Sequence, residues 1–335
     1  MSIADMIPSA SMGHLGGLPS QHTFFPNLSV RFLILPGFMN KITTSLCSLL
    51  LIFYIASLVP AKEAPAVQDT TAQPLRILSW NIFMLPRFVH ITGKRTRAYH
   101  IAEELKASDY QVLVFQEAFL SDARHIIRKY LNGAFPFEYG PANNQGGIRT
   151  SSGIWVLSKI KLRQLEEVKF TQCYGVADCF ARKGAMLLEG DYQGQTFQVL
   201  GTHLQAAGPH STRQAQYRDM RAMLDRHQRP GVPQIVCGDM NTAKNQEESY
   251  NDMLASLDVE DGPLDIQVAG ARDIYPNDLR NWGNERFEVI DYVFYRHNST
   301  PAKKMTRVLR SIRKPWCKNH EDLSDHFAVD FSIWW

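Results

Sequence analysis

The sequence predicts an α/β (α+β) fold of two packed sheets with helices outside them, and three observations carry that expectation. The chain has 335 residues, 44% hydrophobic and 21% charged, a globular balance with enough length to bury a sizeable core. Apolar runs of strand length recur at residues 75–83, 111–115, 153–157, 185–189, 196–203, 234–237, 288–295 and 326–334. Stretches of helical period lie between them at 95–106, 121–131, 211–227 and 247–257.

Taken in order, the mostly apolar run 45–59 follows Lys41 and precedes the small residues Val59-Pro60-Ala61 and Ala64-Pro65-Ala66. That is the pattern of a signal peptide over residues 39–66, and it is shorter than the roughly 20 apolar residues of a membrane span. If uncleaved, the same segment is an N-terminal anchor. Residues 1–38 precede its charged start and read as an extension or a mis-assigned start, with translation from Met39. Residues 67–74 form a polar linker, and from 75 to 335 no break is large enough to begin a second domain. Ser121 and Ser211 are candidate N-caps of their helices. The turn sequence Asp191-Tyr192-Gln193-Gly194-Gln195 makes a hairpin of the two strands around it.

Export places the cysteines in an oxidising compartment. Cys173 and Cys179 are near neighbours in a loop-like stretch and are expected to close a small ring. Cys237 sits in an apolar strand as a small hydrophobe, Cys317 is left free, and no Cys/His spacing suggests zinc. The net charge of +3 is too small to imply nucleic-acid binding by itself.

Polar stations interrupt these apolar runs: Ser79-Trp80-Asn81, Phe115-Gln116-Glu117, Gly201-Thr202-His203-Leu204, Gly238-Asp239-Met240-Asn241 and Ser324-Asp325-His326. Unpaired polar side chains are costly to bury, so strand ends carrying Asn, Glu, Asp and His point to a shared cleft. Asn81 and Glu117 end apolar strands with oxygen ligands suited to a hard cation such as magnesium. Asp239 and Asn241 alternate and so share a side if the strand persists, although Gly-Asp is also a turn sequence. A strand-end His203 alone reads more readily as a satisfied structural histidine than as a catalyst. His326 has Asp325 beside it and Asp291 as a partner through space, and a carboxylate on an imidazole fixes its tautomer and raises its basicity.

The ordered series Ser79-Trp80-Asn81, Gln116-Glu117, Thr202-His203-Leu204, Gly238-Asp239-Met240-Asn241, Ile290-Asp291-Tyr292 and Ser324-Asp325-His326 resembles the endonuclease/exonuclease/phosphatase (DNase I-like) superfamily across about residues 75–333. Asn81-Ile82-Phe83-Met84-Leu85-Pro86, Thr202-His203-Leu204-Gln205-Ala206 and Asp178-Cys179-Phe180-Ala181-Arg182-Lys183-Gly184 resemble its neutral and bacterial sphingomyelinase branch. The resemblance implies a four-layer α-β-β-α sandwich of two mixed sheets. It implies magnesium, with manganese or cobalt as substitutes, held by Glu117 with Asn81 and Asp325 close by. By the same transfer His326 is the base, oriented by Asp291, Asp239 and Asn241 position water and phosphate, and His203 stabilises developing charge or assists the leaving group. Asp178 and Lys183 lie near the site. The implied reaction is hydrolysis of sphingomyelin at a phospholipid membrane surface to ceramide and phosphocholine, with no obligate protein partner.

Residues 296–323 depart from the branch. Secreted bacterial members carry an aromatic-tipped hairpin in this interval, whereas here it holds Trp316 as its one tryptophan and the basic residues Lys303, Lys304, Arg307, Arg310, Arg313, Lys314 and Lys318. Such a stretch suits an anionic lipid surface, a nucleic-acid backbone or plain solvent. The alternatives are therefore a secreted DNase I-like endonuclease, in which case nucleic acid is the partner, or a phosphodiesterase for another phospholipid. A catalytically silent binding module and an inositol phosphate phosphatase are the remaining readings.

Overall fold

Side-chain alternation sorts each strand's residues onto two faces, and the faces define the layers. The computed structural model describes residues 73–87, 89, 93–267, 277–279, 288–296 and 301–335. The expected signal segment, the residues before it and most of the linker lie outside that range. In chain order the strands are β1 (Leu75–Asn81), β2 (Val112–Gln116), β3 (Phe137–Tyr139), β4 (Trp155–Ser158), β5 (Leu162–Lys169), β6 (Gly184–Tyr192) and β7 (Gln195–His203). They continue with β8 (Gln234–Asp239), β9 (Leu264–Gln267), β10 (Asp291–Arg296), β11 (Lys304–Arg310), β12 (Arg313–Cys317), β13 (His320–Asp322) and β14 (Ala328–Trp334). The helices are α1 (Lys94–Lys106), α2 (Ser121–Leu131), α3 (Val176–Phe180), α4 (His210–His227) and α5 (Glu247–Leu257).

A seven-stranded sheet runs β3-β4-β2-β1-β14-β11-β9 and a five-stranded sheet runs β10-β8-β7-β6-β5. Leu75, Ile77, Val112 and Val114 face Met186, Val199, Ile235 and Val293 in a core between the sheets. Leu78, Trp80, Leu113 and Phe115 turn the other way and pack with Ala98, Ile101, Ala123 and Ile127 of α1 and α2. Leu187, Leu200 and Val236 do the same against Tyr217, Met220 and Met253 of α4 and α5. This is the expected four-layer sandwich of mixed sheets.

Strand direction decides where the polar stations meet. β1 and β2 are parallel while β14 is antiparallel to β1, so the C-terminal ends of β1 and β2 and the N-terminal end of β14 share one edge. In the other sheet β7 and β8 are parallel and β10 is antiparallel to β8, which gathers His203, Asp239 and Asp291 at one edge.

The apolar runs were all strands, shifted by a residue or more at their ends. The Tyr192–Gln195 hairpin forms, with Gln193 at φ 53° and Gly194 at φ 82°, as a tight two-residue turn requires. Cys173 and Cys179 are bonded. Neither expected serine cap forms: Ser121 lies inside α2 behind Leu120, and Ser211 inside α4 behind Pro209.

Strands without an apolar run went unseen. β5 is an edge strand with the sequence Leu-Arg-Gln-Leu-Glu-Glu-Val-Lys, and β9 is a short exposed edge. β11 and β12 were hidden inside the basic interval 303–318, and β13 follows it; much of that interval's charge is paired within the fold. Arg310 pairs with Asp330 at 3.1 Å, Arg313 with Asp322 at 3.1 Å and Lys314 with Glu104 at 2.7 Å. Arg307 is buried and donates from Nε to the Val293 carbonyl. Trp316 turns inward, bonding the Asp322 carbonyl and stacking on His320.

Candidate active site

The two sheet edges meet at a link between Asn81 and Asp239. Asn81 ends β1 and donates from Nδ2 to Asp239 Oδ2 at 3.1 Å, while its Oδ1 accepts from the Phe83 N–H. Along the five-stranded edge the register sets His203 beside Asp239 and Asp239 beside Asp291. Gly238 lets β8 come this close to β7: at φ 147°, a Cβ there would lie 2.0 Å from the Thr202 carbonyl oxygen. Asp239 Oδ1 accepts from the Asn241 N–H at 3.0 Å, and Asn241 Nδ2 donates to the Leu204 carbonyl at 3.1 Å.

His326 and Asp291 form a dyad across the sheets. Nδ1 of His326 lies 2.8 Å from Asp291 Oδ2, which commits that nitrogen and leaves Nε2 toward the cleft, 3.7 Å from Asp239 Oδ2. Burial disfavours the imidazolium, but the charges of Asp291, Asp239 and Asp325 outweigh it and raise His326 to about 10. The Trp80 indole donates to the His326 carbonyl at 3.1 Å, and the Ser324 hydroxyl accepts from the His326 N–H while donating to the Asn81 carbonyl.

Glu117 and Asp325 are held differently. Buried Oε2 of Glu117 and Oδ1 of Asp325 have no hydrogen-bond partner in the protein. Burial, and after it the Asp325 charge, pushes the Glu117 carboxyl up to about 7. Glu117 also sits in left-handed backbone, φ 53°, a conformation a non-glycine side chain adopts at a cost of about 1–3 kcal/mol. Two unpartnered buried carboxylate oxygens whose charges act on each other suit a hard divalent cation. A second group, Asp239, Asp291 and His326, brings ligand atoms within 4.8 Å of one another and could also hold a metal. There the 2.8 Å bond already uses His326 Nδ1 and one Asp291 oxygen, so the orphaned pair is the better fit.

Lys183 lies beside His203. Its Nζ is 2.7 Å from Asp178 Oδ1, 3.1 Å from His203 Nε2 and 2.6 Å from the Leu204 carbonyl. Burial and the Lys183 charge hold His203 down to about 3, so its imidazole is neutral. Asp178 Oδ2 accepts from the Ala206 N–H at 2.9 Å and from Gln205 Nε2. The Asp178 element is thus part of the site. Its first three residues belong to the short helix α3, where a loop was expected.

These groups floor a cleft of about 300 Å³ whose walls include Leu85, Pro86, Val89, Phe119, Phe180 and Ala181. Glu117, Asp178, Lys183, His203, Asp239, Asn241 and His326 line it, while Asn81 and Asp291 hold Asp239 and His326 from behind, and Asp325 adjoins His326 in the chain. Arg97 was not foreseen: fully buried in α1, it donates to the carbonyls of Ile82, Phe83 and Leu323, tying the chain after Asn81 to the chain before Ser324. A single arginine in a helix carries no sequence signal for that task. Gln205 was legible only as part of the Thr202–Ala206 motif.

Comparison with known proteins places this geometry. The sequence profile of the Endonuclease/Exonuclease/phosphatase family matches residues 78–326. Sphingomyelinase C 2 of Leptospira interrogans is 26% identical over 76% of this chain and 45% of that protein. The chain spans about half the length of the curated relatives it matches. Among solved structures, beta toxin from Staphylococcus aureus superposes with a TM-score of 0.69 at 22% identity, over 77% of this chain and 99% of that one. Sphingomyelinase C from Streptomyces griseocarneus does so at 0.68 and 21%, over 78% and 99%. A mutant of the beta toxin, at 0.68 and 18%, covering 78% and 99%, was solved with bound magnesium ions. The similarity lies with the sphingomyelinase branch, and the chain belongs to the endonuclease/exonuclease/phosphatase family.

Proposed function

We propose that this protein is an exported, magnesium-dependent phosphodiesterase that hydrolyses sphingomyelin to ceramide and phosphocholine. The observation that carries the reading is the His326–Asp291 dyad at an apolar-walled cleft lined by His326 and Glu117, with orphaned buried oxygens on Glu117 and on Asp325, which precedes His326. Such walls suit a lipid phosphodiester better than a nucleic-acid backbone, and the pairing of the basic interval within the fold favours the same choice.

Glu117 and Asp325 would hold the magnesium, for which manganese or cobalt can substitute; once bound it offsets charge on the phosphate and the leaving oxygen. The carboxylates around His326 hold it protonated in the metal-free protein, and a bound cation would offset their charge. The neutral imidazole then takes a proton at Nε2 from a water that attacks phosphorus in line, with Asp291 holding the reactive tautomer through Nδ1. Asp239 and Asn241 orient the water and phosphate. Lys183 and His203 face the phosphoryl oxygens, with the ammonium countering their growing charge. The phosphorus–oxygen bond to ceramide breaks, the ceramide oxygen takes up a proton, and phosphocholine keeps the oxygen of water.

Phosphocholine release from sphingomyelin vesicles, with Mg²⁺ and with EDTA, beside a plasmid-nicking control, tests the reading. Metal-dependent release with intact plasmid is expected. Nicked plasmid without lipid cleavage would assign the chain to the nucleases, and release from phosphatidylcholine alone would change the lipid. Export follows from the signal-like segment at 39–66, and N-terminal sequencing of the mature protein distinguishes cleavage from anchoring.

A further inference from the structure

Among the described residues, five of the seven exposed large apolar side chains belong to the cleft wall or to the two loops next to it; Tyr130 and Ile266 lie elsewhere. Ile148 is 90% exposed, Val176 89%, Tyr174 56%, Val89 44% and Phe180 40%. Val89 and Phe180 also line the cleft, with Leu85, Pro86, Phe119 and Ala177, so exposed apolar side chains and apolar cleft wall share the same residues. Val176 and Phe180 are four residues apart on α3 and share a face.

Two covalent and hydrogen-bonded ties fix this rim. The Cys173–Cys179 disulfide closes the loop that carries Tyr174 and Val176. Arg182, two residues after Phe180, donates to the Gly146 carbonyl at 2.7 Å, and Thr150 bridges to Ala181, which holds the Ile148 loop alongside α3. Water-exposed aliphatic side chains grouped in this way are unfavourable in a monomer and mark a surface that is covered in use.

We propose that this rim, the disulfide-closed loop with α3 and the Ile148 loop, is the surface by which the protein sits on a phospholipid bilayer. A bilayer is the occupant that matches both features. Its acyl region receives the aliphatic tips, its phosphates suit the exposed Arg149 guanidinium beside Ile148, and a lipid rising from it enters the cleft without crossing water. The β12–β13 hairpin offers no such surface, since Trp316 packs inward and its turn is Lys318-Asn319. The inference rests on the phospholipid reading of the cleft.

The full chain carrying Val176→Trp is mixed with vesicles of phosphatidylcholine and sphingomyelin containing brominated lipids. Fluorescence quenching beyond that of the wild type is expected, and none would overturn the proposal, because the probe reports its own depth whatever else tethers the chain. Ile148→Ser/Val176→Ser, at residues outside the cleft lining, is expected to cut turnover on vesicles at least tenfold while leaving hydrolysis of a water-soluble short-chain sphingomyelin unchanged. Equal turnover on both substrates would overturn it. So would a lipid-free dimer in sedimentation that these substitutions dissolve, since the occupant would then be a second copy. Wild type inactive on both substrates, with quenching retained, would sink the catalytic reading and leave the docking surface standing.

Discussion

The two sheet edges that build the cleft differ in how their polar atoms are partnered. On the five-stranded edge Asp239 is bonded through both oxygens, Asn241 through its amide and His203 Nε2 by Lys183. On the seven-stranded edge Glu117 Oε2 and Asp325 Oδ1 are buried with nothing to receive. One edge is completed by the fold itself. On the other, burial and then the Asp325 charge push the unpartnered Glu117 carboxyl toward neutrality, a cost that a bound cation would relieve. Proton transfer needs geometry fixed in advance, whereas a metal site can leave its ligands in tension until the ion arrives.

The largest effect expected from this contrast is at the dyad. His326→Ala should lower kcat by about 10²–10⁴-fold, the range for a positioned acid or base, while Mg²⁺ binding measured by calorimetry stays near wild type. Residual kcat within threefold of wild type would remove His326 as the base. Loss of metal binding would instead make the Asp239, Asp291 and His326 group the metal site.

Glu117→Gln should act on the other edge and in two directions. Apparent Mg²⁺ affinity should fall by at least about 10–100-fold, the loss seen even for residues that only support a ligand. Metal-free protein should become more stable at pH 8. A carboxyl raised to about 7 is folded in its charged form only at a cost that grows as pH climbs through that value, and the amide carries no such cost. Differential scanning in EDTA should show Tm rising by about 2–4 °C for each kcal/mol relieved. A lower Tm in EDTA would mean Glu117 is not in tension with Asp325.

The same contrast explains what was legible in the sequence. Asn81, Glu117, His203, Asp239 and His326 stand out because each breaks an apolar strand at its end. Their meeting is a matter of strand direction, and no single run states whether its neighbour is parallel. Asp178 and Lys183 were legible only through a motif resemblance, and what ties them to the site is the 3.1 Å approach of Lys183, just before β6, to His203 at the end of β7. β5 and β11 escaped because charged side chains replaced the apolar repeat there. Arg97 escaped because its partners are backbone carbonyls, which every residue has.

Lys183→Met tests how far the five-stranded edge depends on that approach. Removing a charged donor from this network should cost about tenfold or more in kcat/KM. It should also release His203 from the neighbouring ammonium, so its imidazole should titrate at higher pH by NMR. An unmoved His203 would leave burial alone as the cause of its neutrality.

The smallest effect should come from Ser324→Ala. Its hydroxyl donates to the Asn81 carbonyl and accepts from the His326 N–H, joining β1 to the start of β14. Losing a buried hydrogen bond costs about 1 kcal/mol, which lowers Tm by about 2–4 °C for a domain of this size. Because Arg97 ties the same two segments through Ile82, Phe83 and Leu323, kcat should stay within a few-fold of wild type. A collapse of kcat as deep as that of His326→Ala would break the contrast drawn between the edges. The seven-stranded edge would then be as dependent on its own hydrogen bonds as its partner, and its unpartnered oxygens would be held in place by more than the ion they await.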